Sequence, residues 1–408
     1  MASPVNPPRG MRDLLPAEKA RREHALAVIR AVYRSHGFDE IEAPALEEYD
    51  RLHAGLGGDN EKLSFSVLKR GLGPERWREA ADASDLADLG LRYDLTVPLA
   101  RFYATNRAAL PAVFRAVQIG PVWRAERPQR GRYRQFVQCD IDVVGEAGPL
   151  AELELIGATA AALDALGLEG ASVRINDRRI LTRLLTTWGV EAEAGGAALI
   201  AIDKLDKVGV SGVVQELGEQ GVGTEGLDAA FAQLAQADWD LAVDPPLWLD
   251  VDAYRDLLAL RDALPEVELV FDPTLVRGMG YYTGTIFEIA HPSSPSSLGG
   301  GGRYDGMIGR FLGQDVPAVG FSIGFERILD LLPERGAAGA ATALLHEADV
   351  PVAALLEAKR AVQRDGGRVR LERVRKNRRA QLDALAAEGF TGFAVITADG
   401  AGEVRPLG

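Results

Sequence analysis

Two runs of alternating residues joined by a short basic loop constrain this chain more than any other feature. They are Val117 to Glu126 and Tyr133 to Val143. In the first, Val117, Ile119, Pro121, Trp123 and Ala125 share one parity, and Gln118, Arg124 and Glu126 the other. In the second, Tyr133, Val137, Cys139, Ile141 and Val143 alternate with Arg134, Gln138, Asp140 and Asp142. A period of two sends one set into a core and the other to the opposite face of a sheet. A strand hairpin with one polar face is therefore expected. A solvated face would also alternate. This one, however, gathers two guanidinium positions, three carboxylates and two amides beside a tip reading Arg127-Pro128-Gln129-Arg130-Gly131-Arg132. The tip suits phosphates, and the face suits a small polar ligand.

The rest of the chain sets bounds. A length of 408 residues is enough for two or three domains with sizeable cores. The single cysteine, Cys139, excludes an intrachain disulfide and fits a reducing, cytoplasmic setting. Its parity marks it as apolar filler. No apolar run is long enough to span a bilayer, and the N-terminal residues have no apolar signal core. A net charge of -13 argues against general nucleic-acid binding and leaves room for a local basic surface. The five histidines are scattered without metal-ligand spacing, so no metal site is expected.

Periodicity divides the chain further. Residues 17–36 read as a helix and FDEIEAPALEE as an alternating strand broken at Pro44. Residues 71–90 read as a polar surface excursion, and LRYDLTVPLARFYATN as a strand running into a helix. Residues 152–166 form an Ala-rich helical pattern, followed by a short strand at 173–177. From 177 to 264 the pattern is mostly helical, an insertion between two parts of one core, 1–176 and 265–334. Residues 334–340 read as a linker. Strand and helix then alternate over 335–408, as in a small α/β domain. That last stretch holds twelve Lys and Arg against nine Asp and Glu, a balance of +3 in an otherwise acidic chain. Its basic run, Arg368 to Arg379, is either a charged strand edge or a polyanion contact.

Four further segments place polar or glycine-rich patches in sheet-like sequence. RYDLT offers Asp94 and Thr96 on one strand face, able to hold an ammonium group or simply to meet solvent. LVRGMGYYTG puts Arg277 ahead of glycines and of Tyr281 and Tyr282, which in a strand would point to opposite sides. LGGGGRYDG reads as a floor that a ligand approaches closely, and matches neither a phosphate-binding P-loop nor a dinucleotide fingerprint. GFSIGFERI reads as a strand feeding a helix, with Arg327 in its first turn among apolar residues, so that its guanidinium needs an anionic partner.

In this order the segments resemble class II aminoacyl-tRNA synthetases, and within them the histidyl-tRNA synthetase family. EIEAPALE resembles the dimer-forming motif 1, WRAE…GRYRQFVQCDIDVVG motif 2, and GFSIGFER motif 3. RYDLT, LVRGMGYYTG and GGGRYDG are similar to segments peculiar to the histidine enzymes, and PPRGMRDLLP also fits. The resemblance implies an α/β (α+β) chain: an antiparallel sheet flanked by helices, the helical insertion, and a reduced anticodon-binding-like α/β domain over 335–408. It implies a cytoplasmic homodimer that uses ATP and Mg2+ to activate L-histidine and passes it to tRNA(His).

It also implies roles. Arg124 meets the α-phosphate of ATP, Glu126 the adenine side, and Arg327 the γ-phosphate end. Arg277 stabilises charge at the α-phosphorus during attack. Asp94, Thr96 and Gln138 hold the substrate's ammonium, and Asp142 and Tyr282, with Tyr281 alongside, read the imidazole. Arg127, Gln129, Arg130 and Arg132 meet the acceptor end of tRNA. Two departures stand out: position 280 is Gly where many members carry Asp, and Asp142 is the shorter of the two acids used there. The alternatives are a regulatory subunit of ATP phosphoribosyltransferase and an activating enzyme with an acceptor other than tRNA.

Overall fold

The computed structural model describes residues 5–54, 58–128, 131–277, 280–332, 340–364, 366–397 and 400–407. The chain separates into two compact units, residues 1–12 with 27–332 and residues 13–26 with 333–408. Most of the segment read as a linker lies outside the described residues.

The first unit contains the strands β1 (Asp39–Glu40), β2 (Leu46–Glu48), β3 (Phe65–Leu68), β4 (Ala87–Leu91), β5 (Phe114–Trp123), β6 (Gln135–Val144), β7 (Ser172–Asp177), β8 (Leu269–Phe271), β9 (Thr285–His291), β10 (Ser294–Arg303) and β11 (Ala318–Gly324). Eight form one sheet in the order β1-β5-β6-β11-β10-β9-β7-β8, and β2, β4 and β3 form a small second sheet. The inner pairings of the large sheet are antiparallel; β1 pairs parallel with β5, and β7 with β8. The expected hairpin is β5–β6, in unbroken register from Phe114↔Val144 to Trp123↔Gln135.

One face is apolar. Val117, Cys139, Ile141, Phe287, Ile289 and Phe321 are all buried on it, with the rings of Phe287 and Phe321 4.5 Å apart. Each such side chain contributes about 1.5–3 kcal/mol by leaving water. Helix Leu150–Leu166 packs on β6 and β11, and helix Val251–Ala263 on β7. The opposite face carries the polar parity, and it too is buried: Gln118, Asp140 and Asp142 are each under 5% exposed. A solvated face is thereby ruled out. An apolar cluster that includes Leu99, Tyr103, Ile286, Met307 and the insertion residues Leu184 and Phe231 packs on that side.

Other local expectations change. FDEIEAPALEE is two strands in two different sheets, β1 and β2, because Pro44 cannot donate to a ladder between them. Residues 71–90 hold two short helices, Pro74–Glu79 and Ala83–Leu86, and the start of β4. The strand expected at RYDLT ends at Leu91, and Thr96 opens helix Thr96–Asn106. Asp94 and Thr96 therefore do not share a strand face. Tyr281 and Tyr282 precede β9 in a turn, so strand alternation does not separate them. The insertion is built from helices Arg178–Thr187, Gly195–Ile202, Leu205–Glu219, Leu227–Leu234 and Val251–Ala263.

The second unit contains β12 (Ala341–His346), β13 (Arg368–Arg373), β14 (Gly392–Thr397), β15 (Gly400–Ala401) and β16 (Arg405–Pro406). β12 lies between β13 and β14, parallel to both. Alternation along β12 feeds two cores. Leu344 packs with Leu355 and Ile396, and Ala343 and Leu345 pack with Leu385 and Phe390. Helices Val352–Arg364 and Arg378–Ala387 thus cover opposite faces. β13 is an edge strand, on which Arg370 pairs with Glu372 and Glu388 at 2.6 Å each. Among the described residues no helix is long and apolar enough to cross a membrane.

Candidate active site

Register alone assembles the floor. One row across the large sheet runs Arg174↔Glu288↔Gly300↔Ser322↔Asp140↔Gln118. The next runs Asn176↔Ile286↔Gly302↔Gly320↔Asp142↔Ala116. Arg174 and Glu288 stand at one end of the first row and Asp140 and Gln118 at the other, with glycine and serine between them. The glycines are required by what lies above. A Cβ on Gly300 would come within 2.7 Å of the Arg277 guanidinium carbon, and one on Gly320 within 2.1 Å of Asp142 Oδ1. The glycine-rich run of β10 is cleared of side chains at Gly300 so that Arg277 can lie across it, and Gly320 in β11 leaves the same room for Asp142.

The β5–β6 end is acidic. Asp94 caps helix Thr96–Asn106, its Oδ1 accepting from the Val97 N–H at 3.1 Å. Its Oδ2 is buried and lacks a hydrogen-bond partner among the described residues, as are Gln118 Oε1 and Gln138 Oε1. The amide nitrogens of those two glutamines are used: Gln118 Nε2 donates to Leu95 O at 3.0 Å, and Gln138 Nε2 to Ser322 Oγ at 3.0 Å. Three acceptors are left facing inward without donors. Leaving such an acceptor unpaired costs about 1–3 kcal/mol, and an ammonium group supplies three N–H donors.

The carboxyl groups register the same shortage. Burial pushes Asp94 up to about 6, against the pull of the Val97 N–H and Arg124. Burial pushes Asp142 up to about 7, although the Tyr304 hydroxyl donates to its Oδ1 at 2.5 Å. Asp140 is raised well above the carboxylate range by burial and then by Asp142. A cationic ligand would reverse these shifts by supplying the missing charge. Tyr281 lies against Tyr282, ring centroids 4.7 Å apart, and meets Tyr304 edge-on at 6.0 Å. Burial raises the pKa of all three, which keeps their hydroxyls neutral.

The other side is cationic. Arg124 donates from Nε to Tyr93 O at 2.9 Å and lies over the Phe136 ring at 5.2 Å. Arg277 donates from Nη1 to Glu288 Oε2 at 2.7 Å. Arg327, in helix Phe325–Leu331, donates to Ser297 O. Its pKa is lowered by burial and then by Arg132, Arg277 and Arg124, with Glu126 opposing. Four guanidiniums therefore share one neighbourhood, where Glu126 pairs with Arg132 at 3.6 Å and Glu288 with Arg277. Such an array repels itself until a polyanion enters. A further carboxylate works nearby: Glu326 accepts from Arg12 Nη2 at 2.5 Å and from the Val137 N–H at 3.2 Å, tying helix Phe325–Leu331 to the hairpin.

The structure therefore brings Arg124, Glu126, Arg132, Arg277 and Arg327 together, and groups Asp94, Gln138, Asp142, Tyr281 and Tyr282 in the acidic pocket. Thr96 contributes a backbone N–H toward Asp94. Arg127 is exposed at the loop, and Gln129 and Arg130 lie outside the described residues. Sequence reading passed over Tyr304, Glu288, Arg174 and Gln118 as site residues. A usable signal existed for two of them. Tyr304 keeps the parity of Gly300 and Gly302, and Glu288 is a lone charge within the apolar run of β9.

A mostly antiparallel sheet whose polar face sets a buried acidic pocket beside converging arginines is the architecture of a class II aminoacyl-tRNA synthetase. The family model for histidyl-tRNA synthetase matches residues 10–328. A histidine–tRNA ligase of Leifsonia xyli subsp. xyli is 58% identical, the match covering 98% of this chain and 97% of the relative. One from Aeropyrum pernix is 39% identical over 81% of this chain and 74% of its own length. The crystal structure of histidyl-tRNA synthetase from Nostoc sp. PCC 7120 superposes with a TM-score of 0.78 at 25% identity, covering 98% of this chain and 93% of that one. A Bacillus halodurans C structure described as an ATP phosphoribosyltransferase regulatory subunit/histidyl-tRNA synthetase shares the fold, with a TM-score of 0.75 at 21% identity and coverage of 97% and 98%. The chain belongs to the histidyl-tRNA synthetase family.

Proposed function

We propose that this chain is a histidine–tRNA ligase, which activates L-histidine with ATP to histidyl adenylate and transfers it to tRNA(His). The observation that carries the reading is the bipolar site. Buried acceptors without donors face a cation on one side, and guanidiniums converge for a polyphosphate on the other. The identity to curated histidine–tRNA ligases supports it independently.

In this reading Asp94 Oδ2, Gln138 and Gln118 take the ammonium of histidine, and Thr96 supplies backbone beside Asp94. Asp142, set by Tyr304, and Tyr282, backed by Tyr281, read the imidazole. A site built to bond both ring nitrogens rejects analogues that strand a buried partner. Arg124 and Arg277 flank the α-phosphate, Glu126 lies toward the adenine, and Arg327 holds the γ-phosphate end. In-line attack by the carboxylate then needs alignment and charge stabilisation rather than covalent help. Among the described residues no three His, Cys, Asp or Glu side chains are arranged to hold a metal ion. Mg2+ would accordingly take its ligands mainly from phosphate oxygens and water, as this ion commonly does.

The reading extends to the domains and partners. Residues 1–176 and 265–334 form the catalytic core, 177–264 its insertion, and 335–408 a reduced anticodon-binding-like domain. Arg127, Gln129, Arg130 and Arg132 meet the acceptor end of tRNA, and the enzyme works as a cytoplasmic homodimer. The test is histidine-dependent ATP–pyrophosphate exchange followed by charging of tRNA(His). Purified protein without exchange activity would refute the enzyme reading. Exchange without charging would point instead to another acceptor.

A further inference from the structure

Glu288 stands between two arginines. Its Oε2 accepts from Arg277 Nη1 at 2.7 Å, and its Oε1 from Arg174 Nη1 at 3.3 Å. Arg174 is itself held from behind. Its Nε donates to Asp272 at 2.6 Å, and its Nη1 reaches Asp206 Oδ2 at 3.2 Å. Asp206 lies in the first turn of helix Leu205–Glu219, inside the insertion. From the same corner Asp203 also acts on Arg277, as the largest favourable charge contact of that carboxyl. Charged contacts thus run without a break from the insertion to the guanidinium above Gly300.

We propose that the helical insertion positions Arg277 through this chain. Asp206 and Asp272 fix Arg174, Arg174 fixes the plane of the Glu288 carboxylate, and Glu288 holds the Arg277 guanidinium over the glycine floor. The proposal rests on the role of Arg277 given above. A carboxylate with each oxygen on a different guanidinium cannot rotate freely, because turning toward one partner abandons the other. Asp206 is the adjustable link. Its side chain is 72% exposed, whereas that of Glu288 is 15% exposed and that of Arg174 23%. When the insertion shifts and Asp206 withdraws, Arg174 falls back on Asp272 and Glu288. The shared carboxylate is then drawn away from Arg277. Glu288 and Arg174 are positioning residues, and the insertion reports its own placement to the reacting phosphate through them.

The test is a double-substitution cycle with two readouts, exchange kinetics and the affinity of an inert anionic analogue of histidyl adenylate. Asp206→Asn should lower the exchange kcat about threefold with the histidine KM unchanged, within the range of coupling carried by such networks. Glu288→Gln should lower kcat at least about tenfold, again with KM held, as for loss of an oriented transition-state donor. The double variant should be no worse than Glu288→Gln alone, since Glu288 is the route by which Asp206 acts. Analogue affinity should show the same non-additivity. Losses that multiply, or a change confined to the histidine KM, would overturn the proposal. If the unaltered chain shows no exchange, the enzyme reading fails, and the analogue-affinity cycle still decides whether Asp206 and Glu288 are coupled.

Discussion

Asp142→Asn should make the ligand-free protein more stable while abolishing its activity. Burial moves the Asp142 carboxyl from 3.8 up to about 7. A folded pKa above the unfolded one means that the native state keeps a proton the unfolded chain has released. The stability from this group is therefore complete in acid and is lost as pH rises through about 7. With those two values the ionisation penalty is about 3 kcal/mol at pH 6 and about 4 kcal/mol at pH 8, a difference of about 1 kcal/mol. Asparagine does not titrate, and its amide oxygen can still accept from Tyr304. The stability advantage of the variant should therefore grow by about 1 kcal/mol between pH 6 and pH 8. Urea unfolding at constant ionic strength measures this through intrinsic fluorescence, because all five tryptophans precede residue 333 and report the first unit. Histidine-dependent exchange should fall at least about 100-fold, because an imidazole partner has lost its charge. An advantage that stays flat across this range would show that Asp142 is already ionised and stabilised in the native protein, and the burial argument would fall.

Other expectations follow from the same geometry. Arg277→Ala should lower the exchange kcat by about 10²–10³ with little change in histidine KM, the cost of removing a preorganised donor; a KM effect alone would mean that Arg277 binds rather than stabilises. Histidine affinity should weaken about fourfold from pH 7.5 to 5.5 as Asp94, with its pKa of about 6, takes up a proton that competes with the ammonium. Calorimetry should show proton release on binding at the lower pH, and Asp94→Asn should remove that component. Gly300→Ala and Gly320→Ala should separate the two halves of the site. The first displaces Arg277 and lowers kcat, the second displaces Asp142 and raises histidine KM, both read from steady-state exchange. Reversing Arg375, Lys376 and Arg379 to Glu should weaken charging and flatten its salt dependence while exchange is unchanged; an exchange defect would show that this basic edge serves another purpose.

Legibility in the sequence followed the range of the interactions. Alternation along each arm of the hairpin placed Gln138 and Asp142 on one face of β6 and directed Arg124, one residue past β5, to the same side, because a strand's period is local and independent of partners. The same logic failed at RYDLT and at Tyr281-Tyr282. Both lie beyond the strand ends, in a helix cap and a turn, where side-chain direction depends on turn geometry rather than on parity. Glu288 and Tyr304 carried a local signal, but what they and Arg174 meet was hidden for a different reason. Their positions matter only because β11 inserts between β6 and β10, and β9 between β10 and β7. No local pattern states which distant strands become neighbours. The burial of the polar face was equally out of reach, since it depends on how the insertion and helix Asp305–Leu312 pack over it.

The sheet order also explains how one floor can serve two ligands of opposite demand. Histidine brings a cation and a carboxylate, and ATP brings only negative charge. The carboxylate must approach the α-phosphate, and two like charges 4 Å apart repel by about 4 kcal/mol at an effective dielectric of about 20. A guanidinium between them offsets that repulsion only if it is already in place when they meet. The row from Gln118 and Asp140 to Glu288 and Arg174 supplies this arrangement. In the proposed reading its acidic end takes the ammonium, while at its far end Glu288 holds Arg277. Between them, at Gly300, nothing rises from the floor except the arginine laid across it. Side chains there would push the cation away from the reacting atoms, so the bare stretch of β10 is as much a part of the proposed chemistry as the charges at either end.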